Sequence, residues 1–401
     1  MTDSHLAAPV RLGIIGLGAI AQIAHLPALG SLGKLFEIRH LCDLSSALLA
    51  AVSARLPGQP RCSTRAEDVF TDPDVDAVLI LTPSAHGSET LAAVTAGKHV
   101  FAEKPLCISV AELDEIERAA AAAGRVVQVG YMKTHEPMVE AAKRRLLDLE
   151  DPRLIRVTVL HPDETPQQSH HNLLRFDDVT HGQLEPMLRY ERATTRDAIG
   201  DLPESFNRLY RNLALGSLVH QASLVRYILG RPLGSVARIS AWPFGSEAPY
   251  GAPPSLSLDA ELGGDMRFRM DWLWVPGYPE YFEEVEIFGV SGSLRLRLPP
   301  PYVPGARARL WEMEADGTGR QIRDLRTSDR HSAFRRELQH FHRAVREGIP
   351  TDLSGVRDDL RFLQEMVARL ALSQGFTPGG EAARLFTADT NSVSAGGLRT
   401  R

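Results

Sequence analysis

Val10-Arg11-Leu12-Gly13-Ile14-Ile15-Gly16-Leu17-Gly18-Ala19-Ile20-Ala21 is the stretch on which the reading of this chain turns. Residues 12–15 form a short apolar run suited to a buried parallel strand. It leads directly into Gly16-x-Gly18-x-x-Ala21 and a helical run over residues 20–29. A strand, a tight turn and a closely packed helix need small residues in three places. Gly16 supplies the turn, Gly18 lets a pyrophosphate approach the backbone, and Ala21 lets the helix lie against the strand. The first-turn N–H groups, with Ala19 and Ile20 in that turn, and the helix dipole then face the phosphates.

A second apolar run, residues 36–42, ends in Asp43, placed to accept hydrogen bonds from an adenosine ribose. Its distance from Gly16 exceeds the usual spacing of about 20 residues, an excess that a loop over residues 30–34 absorbs. Leu44-Ser45 follows with no Arg or Lys to receive a 2'-phosphate, so NAD(H) is expected rather than NADP(H). Residues 47–56 read as a helix broken by Pro57-Gly58, and residues 76–81 as a strand running into Thr82-Pro83-Ser84-Ala85-His86. The next strand, residues 99–102, delivers Glu103-Lys104-Pro105 at its carboxyl end, the edge of a parallel sheet where ligands bind. Ser109 and Glu112 form a capping box, and Gly124 closes the helix that follows. Residues 125–130 are the fifth such apolar strand, in a domain read as six strands alternating with helices, which is a doubly wound α/β domain.

Beyond about residue 130 the connectivity changes. Strands are expected over 154–160, 236–242, 255–262, 266–274, 281–288 and 292–298, joined by turns rather than helices. This pattern predicts an α+β domain with an open, mainly antiparallel sheet and helices on one face. Its helices are placed at 138–149, 213–229, 332–347 and 355–373. The division expected is a nucleotide-binding domain at 1–130, a second domain at 131–375 and a tail at 376–401. That tail lacks periodicity and is read as partly disordered.

The composition is 43% hydrophobic and 24% charged with a net charge of -5, typical of an ordinary globular chain of two domains. There is no basic stripe or polybasic run, so neither nucleic acid nor an anionic membrane is an expected partner. Three cysteines, Cys42, Cys62 and Cys107, lack metal-ligand spacing and read as free thiols. Residues 1–9 lack a signal-peptide pattern, and no apolar run approaches the roughly 18 residues a membrane span needs. A cytoplasmic location is therefore expected.

The ordered set Gly16-x-Gly18-x-x-Ala21, Thr82-Pro83-x-x-His86, Ala96-Gly97-Lys98-His99-Val100, Glu103-Lys104-Pro105 and Gly130-Tyr131-Met132-Lys133 resembles the Gfo/Idh/MocA family, named for glucose-fructose oxidoreductase and inositol dehydrogenase. The resemblance runs to about residue 375. It implies an N-terminal Rossmann domain, a C-terminal open-sheet domain for substrate binding and oligomerisation, and a homodimer or homotetramer. It also implies hydride transfer between nicotinamide and a carbinol carbon of a sugar, aminosugar or cyclitol, with a protein base taking the hydroxyl proton.

By this resemblance Lys104 is the first catalytic candidate, a desolvated ammonium that polarises a substrate oxygen or takes part in proton transfer. Glu103 is assigned to the cofactor side, together with Thr82, Pro83, Ser84 and His86. His220 is the second candidate, on a helix where the family usually carries its acid/base histidine. The aspartate that normally orients it four residues earlier is Gly216 here, the carboxylate often found three residues later is Ser223, and Arg211-Asn212 replaces the usual glycine pair. Three readings follow: His220 acts alone or through Lys104, another residue replaces the aspartate, or turnover is lost. Tyr131 and Lys133 are expected to line the substrate cleft.

His161, His170, His171 and His181, with Asp163, Asp177 and Asp178, match no tight metal-ligand spacing. They are read as a polar loop over the cleft, with no metal expected. Trp272, Trp274, Tyr278 and Tyr281 are read as sheet core or subunit interface, the two tryptophans sharing a face. Two alternatives to a dehydrogenase remain at this level: a glycoside-cleaving enzyme that oxidises transiently and eliminates, and a nucleotide-binding regulatory protein without catalysis.

Overall fold

The computed structural model describes residues 8–244, 252–315, 318, 321–329 and 333–393. Six parallel strands form the first sheet: β1 Val10–Ile15, β2 Phe36–Cys42, β3 Arg61–Ser63, β4 Ala77–Ile80, β5 His99–Glu103 and β6 Val127–Gly130. Their order is β3-β2-β1-β4-β5-β6, so the winding reverses between β1 and β4. The carboxyl ends at that reversal form the crevice where a ligand binds. Leu12, Ile14, Val78, Leu79, Val100 and Phe101 are all fully buried, which is why these strands read as unbroken apolar runs. The strand that no apolar run marks is β3, three residues at the sheet edge, with Arg61 and Cys62 exposed.

The helix after the glycine turn differs in one respect from a uniform 20–29 helix. It is π-wound over Ala21–His25 and continues as α-helix over Leu26–Gly30. Pro27 has no N–H to offer the carbonyl four residues back, and the wider winding coincides with that gap.

The second sheet has eight strands: β7 Leu154–His161, β8 Val236–Trp242, β9 Ser255–Glu261, β10 Arg267–Trp274, β11 Phe282–Phe288, β12 Gly292–Leu298, β13 Arg309–Ala315 and β14 Gln321–Thr327. The order is β14-β13-β12-β11-β7-β10-β9-β8, antiparallel throughout except for the central β7–β10 pair. β7 shows why helices cover one face only. Ile155, Val157 and Val159 are fully buried beneath them, while Arg156 on the other face bonds Glu286 across the sheet, Nε to Oε2 at 2.7 Å. β13 and β14 extend the sheet beyond the strands expected from sequence.

Three segments depart from the expected layout. The polar segment read as a loop over the cleft runs into a helix: His181–Ile199 is a 19-residue helix, opened by a capping box of Thr180 and Gln183. Its faces are mostly polar and Pro186 interrupts its first turns, so apolar periodicity did not mark it. Ala333–Glu347 follows the second sheet in sequence but buries Leu338, Phe341 and Ala344 in the same core as Leu12, Phe36 and Phe101. The tail is helical over Gly380–Val393, and Glu381 accepts the Val110 and Ala111 N–H groups at 2.8 Å each, capping the Val110–Ala123 helix. That cap is a long-range contact that local periodicity cannot carry. Residues 394–401 lie outside the described residues, as do residues 1–7 of the amino-terminal reading. No described helix is long and apolar enough to cross a membrane.

The helices of the second half are held by a buried ion pair. Arg226 donates to both Asp359 oxygens, at 2.7 and 2.9 Å, and Tyr131 adds its hydroxyl to the same carboxylate. Asp359 is 1% exposed, and burial raises its pKa to about 6 despite these donors. Removing the carboxylate leaves a guanidinium without its partner in a mostly buried place. Asp359→Ala is expected to cost about 3–5 kcal/mol of unfolding free energy, measured by urea denaturation. A loss below about 1 kcal/mol would show that the pair is replaceable by water.

Candidate active site

Gly16 opens the site. Its φ is +88°, and a Cβ there would meet the Leu81 carbonyl carbon and the Thr82 nitrogen at 2.7 Å, so a side chain would collide with the backbone that follows β4. Gly18 faces open space, with nothing within 4 Å of a built Cβ, which is the room a pyrophosphate needs. Ala19 and Ile20 are half-buried beside it, and Ala21 is fully buried against the sheet. Asp43 reaches back from the tip of β2, its Oδ2 accepting the Leu17 N–H at 2.8 Å and its Oδ1 the Ser45 N–H at 2.9 Å. Thr82 Oγ1 is buried without a hydrogen-bond partner. An open glycine turn, a carboxylate at the end of β2 and an unsatisfied hydroxyl in the crevice fit a dinucleotide.

Thr82, Pro83 and Ser84 line a cavity of about 300 Å³ together with Glu103 and Lys104 from the end of β5. His86 is not among the lining residues. Its Nδ1 lies 2.8 Å from the Pro105 carbonyl and its Nε2 2.9 Å from the Thr82 carbonyl, so the ring ties the two loops together from behind. Glu103 is held by His25, Nε2 to Oε1 at 2.7 Å, and accepts the Lys104 N–H on its other oxygen at 3.1 Å. Glu337 completes this group, the one set of three potential metal ligands gathered among the described residues. Burial and the Glu103 charge push the Glu337 carboxyl well above the usual range.

The far wall comes from the second half. The helical run after Glu204–Arg208 is π-wound over Leu209–Leu218 and regular over Val219–Leu229. It brings Gly216 and His220 to the cavity, where Lys104 Nζ donates to the Gly216 carbonyl at 2.5 Å. Burial pulls Lys104 below the ordinary lysine range, Glu103 opposing this and Lys133 adding to it. Burial also holds His220 well below 6.5, reinforced by Lys104, Lys133 and His161. His220 is therefore a neutral imidazole at physiological pH. Lys133 lines the cavity as expected, but its ammonium bonds Glu283 at 2.5 Å, and Glu283 also accepts from Gln221 and Tyr281.

Tyr131 is a correction. It does not line the cavity; its hydroxyl bonds Asp359 on the opposite side of the β6 turn. The chain reverses at Met132–His135, so neighbouring residues 131 and 133 point to different places. The residues that sequence reasoning did not place at the site include Glu164, Gln167, Arg211, Ser217 and Tyr302. Their signal was weak: Glu164 and Gln167 belong to the polar segment read as lying over the cleft. His161 also lines the cavity, as a wall residue, stacked on Trp274 with 5.7 Å between ring centroids. Trp272 and Trp274 share a face, their rings 12° from parallel, and Trp272 Nε1 donates to Ser217 Oγ at 3.0 Å. Tyr278 does not line the cavity.

Residues 10–131 match the Gfo/Idh/MocA family model, described as an oxidoreductase family with an NAD-binding Rossmann fold. The amino-terminal part of the chain is thus similar to the Gfo/Idh/MocA oxidoreductase family. Over 347 residues it is 26% identical to scyllo-inositol 2-dehydrogenase (NAD(+)) of Bacillus subtilis, covering 81% of this chain and 86% of that relative. It is 31% identical over 184 residues to inositol 2-dehydrogenase 3 of Saccharopolyspora erythraea, covering 44% of this chain and 52% of the relative. The structure of a 3-ketoreductase from Actinomadura kijaniata in complex with NADP shares the fold, with a TM-score of 0.64 at 18% identity over 92% of this chain and 98% of that one.

The neutral state of His220 has a measurable consequence. The unfolded chain protonates this histidine near 6.5 while the folded protein does not, so more protons bind the unfolded state below that pH. Stability should fall as pH drops below 6.5, with this residue contributing up to about 1.4 kcal/mol per pH unit. His220→Gln removes the contribution. Urea unfolding at pH 7 and pH 5.5 should therefore show a smaller acid loss in the variant than in the wild type, and equal losses would contradict the assignment.

Proposed function

We propose that this protein is an NAD(H)-dependent oxidoreductase acting on a secondary hydroxyl, or the matching ketone, of a sugar, aminosugar or cyclitol. The observation that carries this reading is the opening of Lys104 and His220 onto one cavity at the carboxyl end of β5, beside the glycine turn. The relatives named as inositol dehydrogenases and a 1,5-anhydro-D-fructose reductase of Ensifer adhaerens support the substrate class. Asp43, followed by no basic residue in Leu44-Ser45, supports NAD(H).

In the proposed mechanism the nicotinamide of a bound NAD+ supplies the hydride acceptor. Lys104 donates a hydrogen bond to the reacting oxygen, stabilising negative charge as the hydroxyl loses its proton. That contact takes the place of its present bond to the Gly216 carbonyl. Neutral His220 has a free lone pair for the hydroxyl proton, so the proton leaves oxygen for an imidazole nitrogen as the hydride leaves carbon. In the reverse direction the same ring returns the proton. Lys133, fixed by Glu283, keeps a positive field in the cavity that disfavours the imidazolium and so keeps the base available.

The test is reduction of NAD+ against a panel of inositols, sugars and aminosugars, run beside Lys104→Ala and His220→Ala. Each variant is expected to lose about 10²–10⁴-fold in kcat/KM while retaining NADH binding by fluorescence. Undiminished turnover by Lys104→Ala would overturn the mechanism. Gly216→Asp probes the missing carboxylate. A Cβ there meets only the Arg211 carbonyl, at 3.5 Å, so the side chain fits, and position 216 faces the cavity with His220. A carboxylate there favours the imidazolium, so the acidic limb of the kcat/KM profile should move to higher pH. An unmoved limb would remove His220 from the rate-determining titration.

A further inference from the structure

The turn after β2 carries a contact that the proposed chemistry does not use. Ser45 caps the Ser46–Ser53 helix, its Oγ accepting the Leu48 N–H at 2.9 Å. The same hydroxyl donates to Asp178 Oδ1 at 2.5 Å, and the Ala47 N–H donates to Asp178 Oδ2 at 3.0 Å. Asp178 belongs to the segment between β7 and the His181–Ile199 helix, more than 130 residues away in sequence.

That segment is anchored on both sides of Asp178. Before it, Gln22 of the glycine-motif helix clasps Leu174, donating to its carbonyl at 3.1 Å and accepting its N–H at 2.9 Å. His171 Nε2 also lies 2.6 Å from the Tyr302 carbonyl. After it, Thr180 caps the His181–Ile199 helix. The carboxylate is therefore delivered to the turn by structure on either side, and Asp43 bonds Ser45 N from the other direction.

We propose that Asp178 is a cofactor-specificity residue, which selects NAD(H) against NADP(H) by occupying the hydroxyl and N–H donors that a ribose 2'-phosphate would need. This rests on the nicotinamide reading above. In a dinucleotide fold the ribose of the adenosine lies at the end of the second strand, beside Asp43, and a 2'-phosphate projects toward the turn that follows. The donors of that turn suit an anion through hydrogen bonding and the helix dipole. Here the anion is already present, as a side chain of the same protein. A 2'-phosphate would have to displace Asp178 and would meet the charges of two carboxylates, whereas a 2'-hydroxyl needs only an acceptor, which Asp43 supplies. Selection by a repulsive group placed against the wrong ligand is a general route to specificity.

The experiment measures NADH and NADPH affinities by fluorescence or calorimetry, without turnover, for the full-length wild type, Asp178→Ala and Asp178→Asn. Asp178 is exposed, and urea unfolding of each variant checks that the fold is retained. The wild type should bind NADH more tightly. Both variants should narrow the NADH-to-NADPH preference by about tenfold, mainly through tighter NADPH binding. Asp178→Asn separates charge from occupancy, since its amide oxygen still accepts from one donor. An unchanged ratio in both variants, with NADH still bound, would overturn the proposal and leave Asp178 as a helix cap. If the wild type binds neither dinucleotide, the nicotinamide reading itself falls and takes this inference with it.

Discussion

The Lys104 ammonium, drawn out of water at the end of β5, is the constraint around which the rest of the site is arranged. A buried lysine without a partner loses its proton or destabilises the fold. Here its charge is met by a backbone carbonyl, that of Gly216 at 2.5 Å, supplied by the other half of the chain. The neighbouring charges follow from that choice. Lys133 is satisfied by Glu283 and kept fixed, His220 is left neutral, and Glu103, at the cavity wall, is bonded to His25. The result is a pocket whose field favours negative charge developing on a bound oxygen.

This arrangement requires the two halves to be held in register, and the structure uses segments distant in sequence to do so. Ala333–Glu347 packs into the first core, Glu381 caps the Val110–Ala123 helix, and Asp178 docks on the helix after β2. Each contact takes a group from the carboxyl-terminal two-thirds of the chain and satisfies donors or apolar surface on the nucleotide-binding side. A boundary drawn at residue 130 describes the change in strand connectivity, but the packing unit is larger than that boundary suggests.

What was legible in the sequence follows from this distinction. The buried parallel strands, the glycine turn and the placement of Glu103 and Lys104 at a strand end all rest on local rules. Residues within one element decide them, and the structure contains them as read. The polar His181–Ile199 helix and the tail helix were missed because their stabilising partners lie far away in the chain. The tail's Glu381, for instance, bonds residues some 270 positions earlier. Tyr131 was misplaced for a related reason. A short 3-10 turn sends residues 131 and 133 in different directions, and no periodicity in a stretch of that length reports which way each one points.

The Gly216 position shows how a substitution that looks like a loss can be a rearrangement. Read from sequence alone, a missing carboxylate removes the group that orients His220. In the structure the π-winding over Leu209–Leu218 places the Gly216 carbonyl against Lys104, a contact made through the backbone. With no anion beside it and three basic groups nearby, His220 stays uncharged, the protonation state a base requires. A carboxylate would strengthen the base by stabilising its protonated form, but it would also compete for the Lys104 ammonium. The chain thus trades basicity at His220 for a lysine held by an acceptor that a substrate oxygen can readily replace, which shifts the weight of the proposed chemistry from proton abstraction toward polarisation of the reacting oxygen.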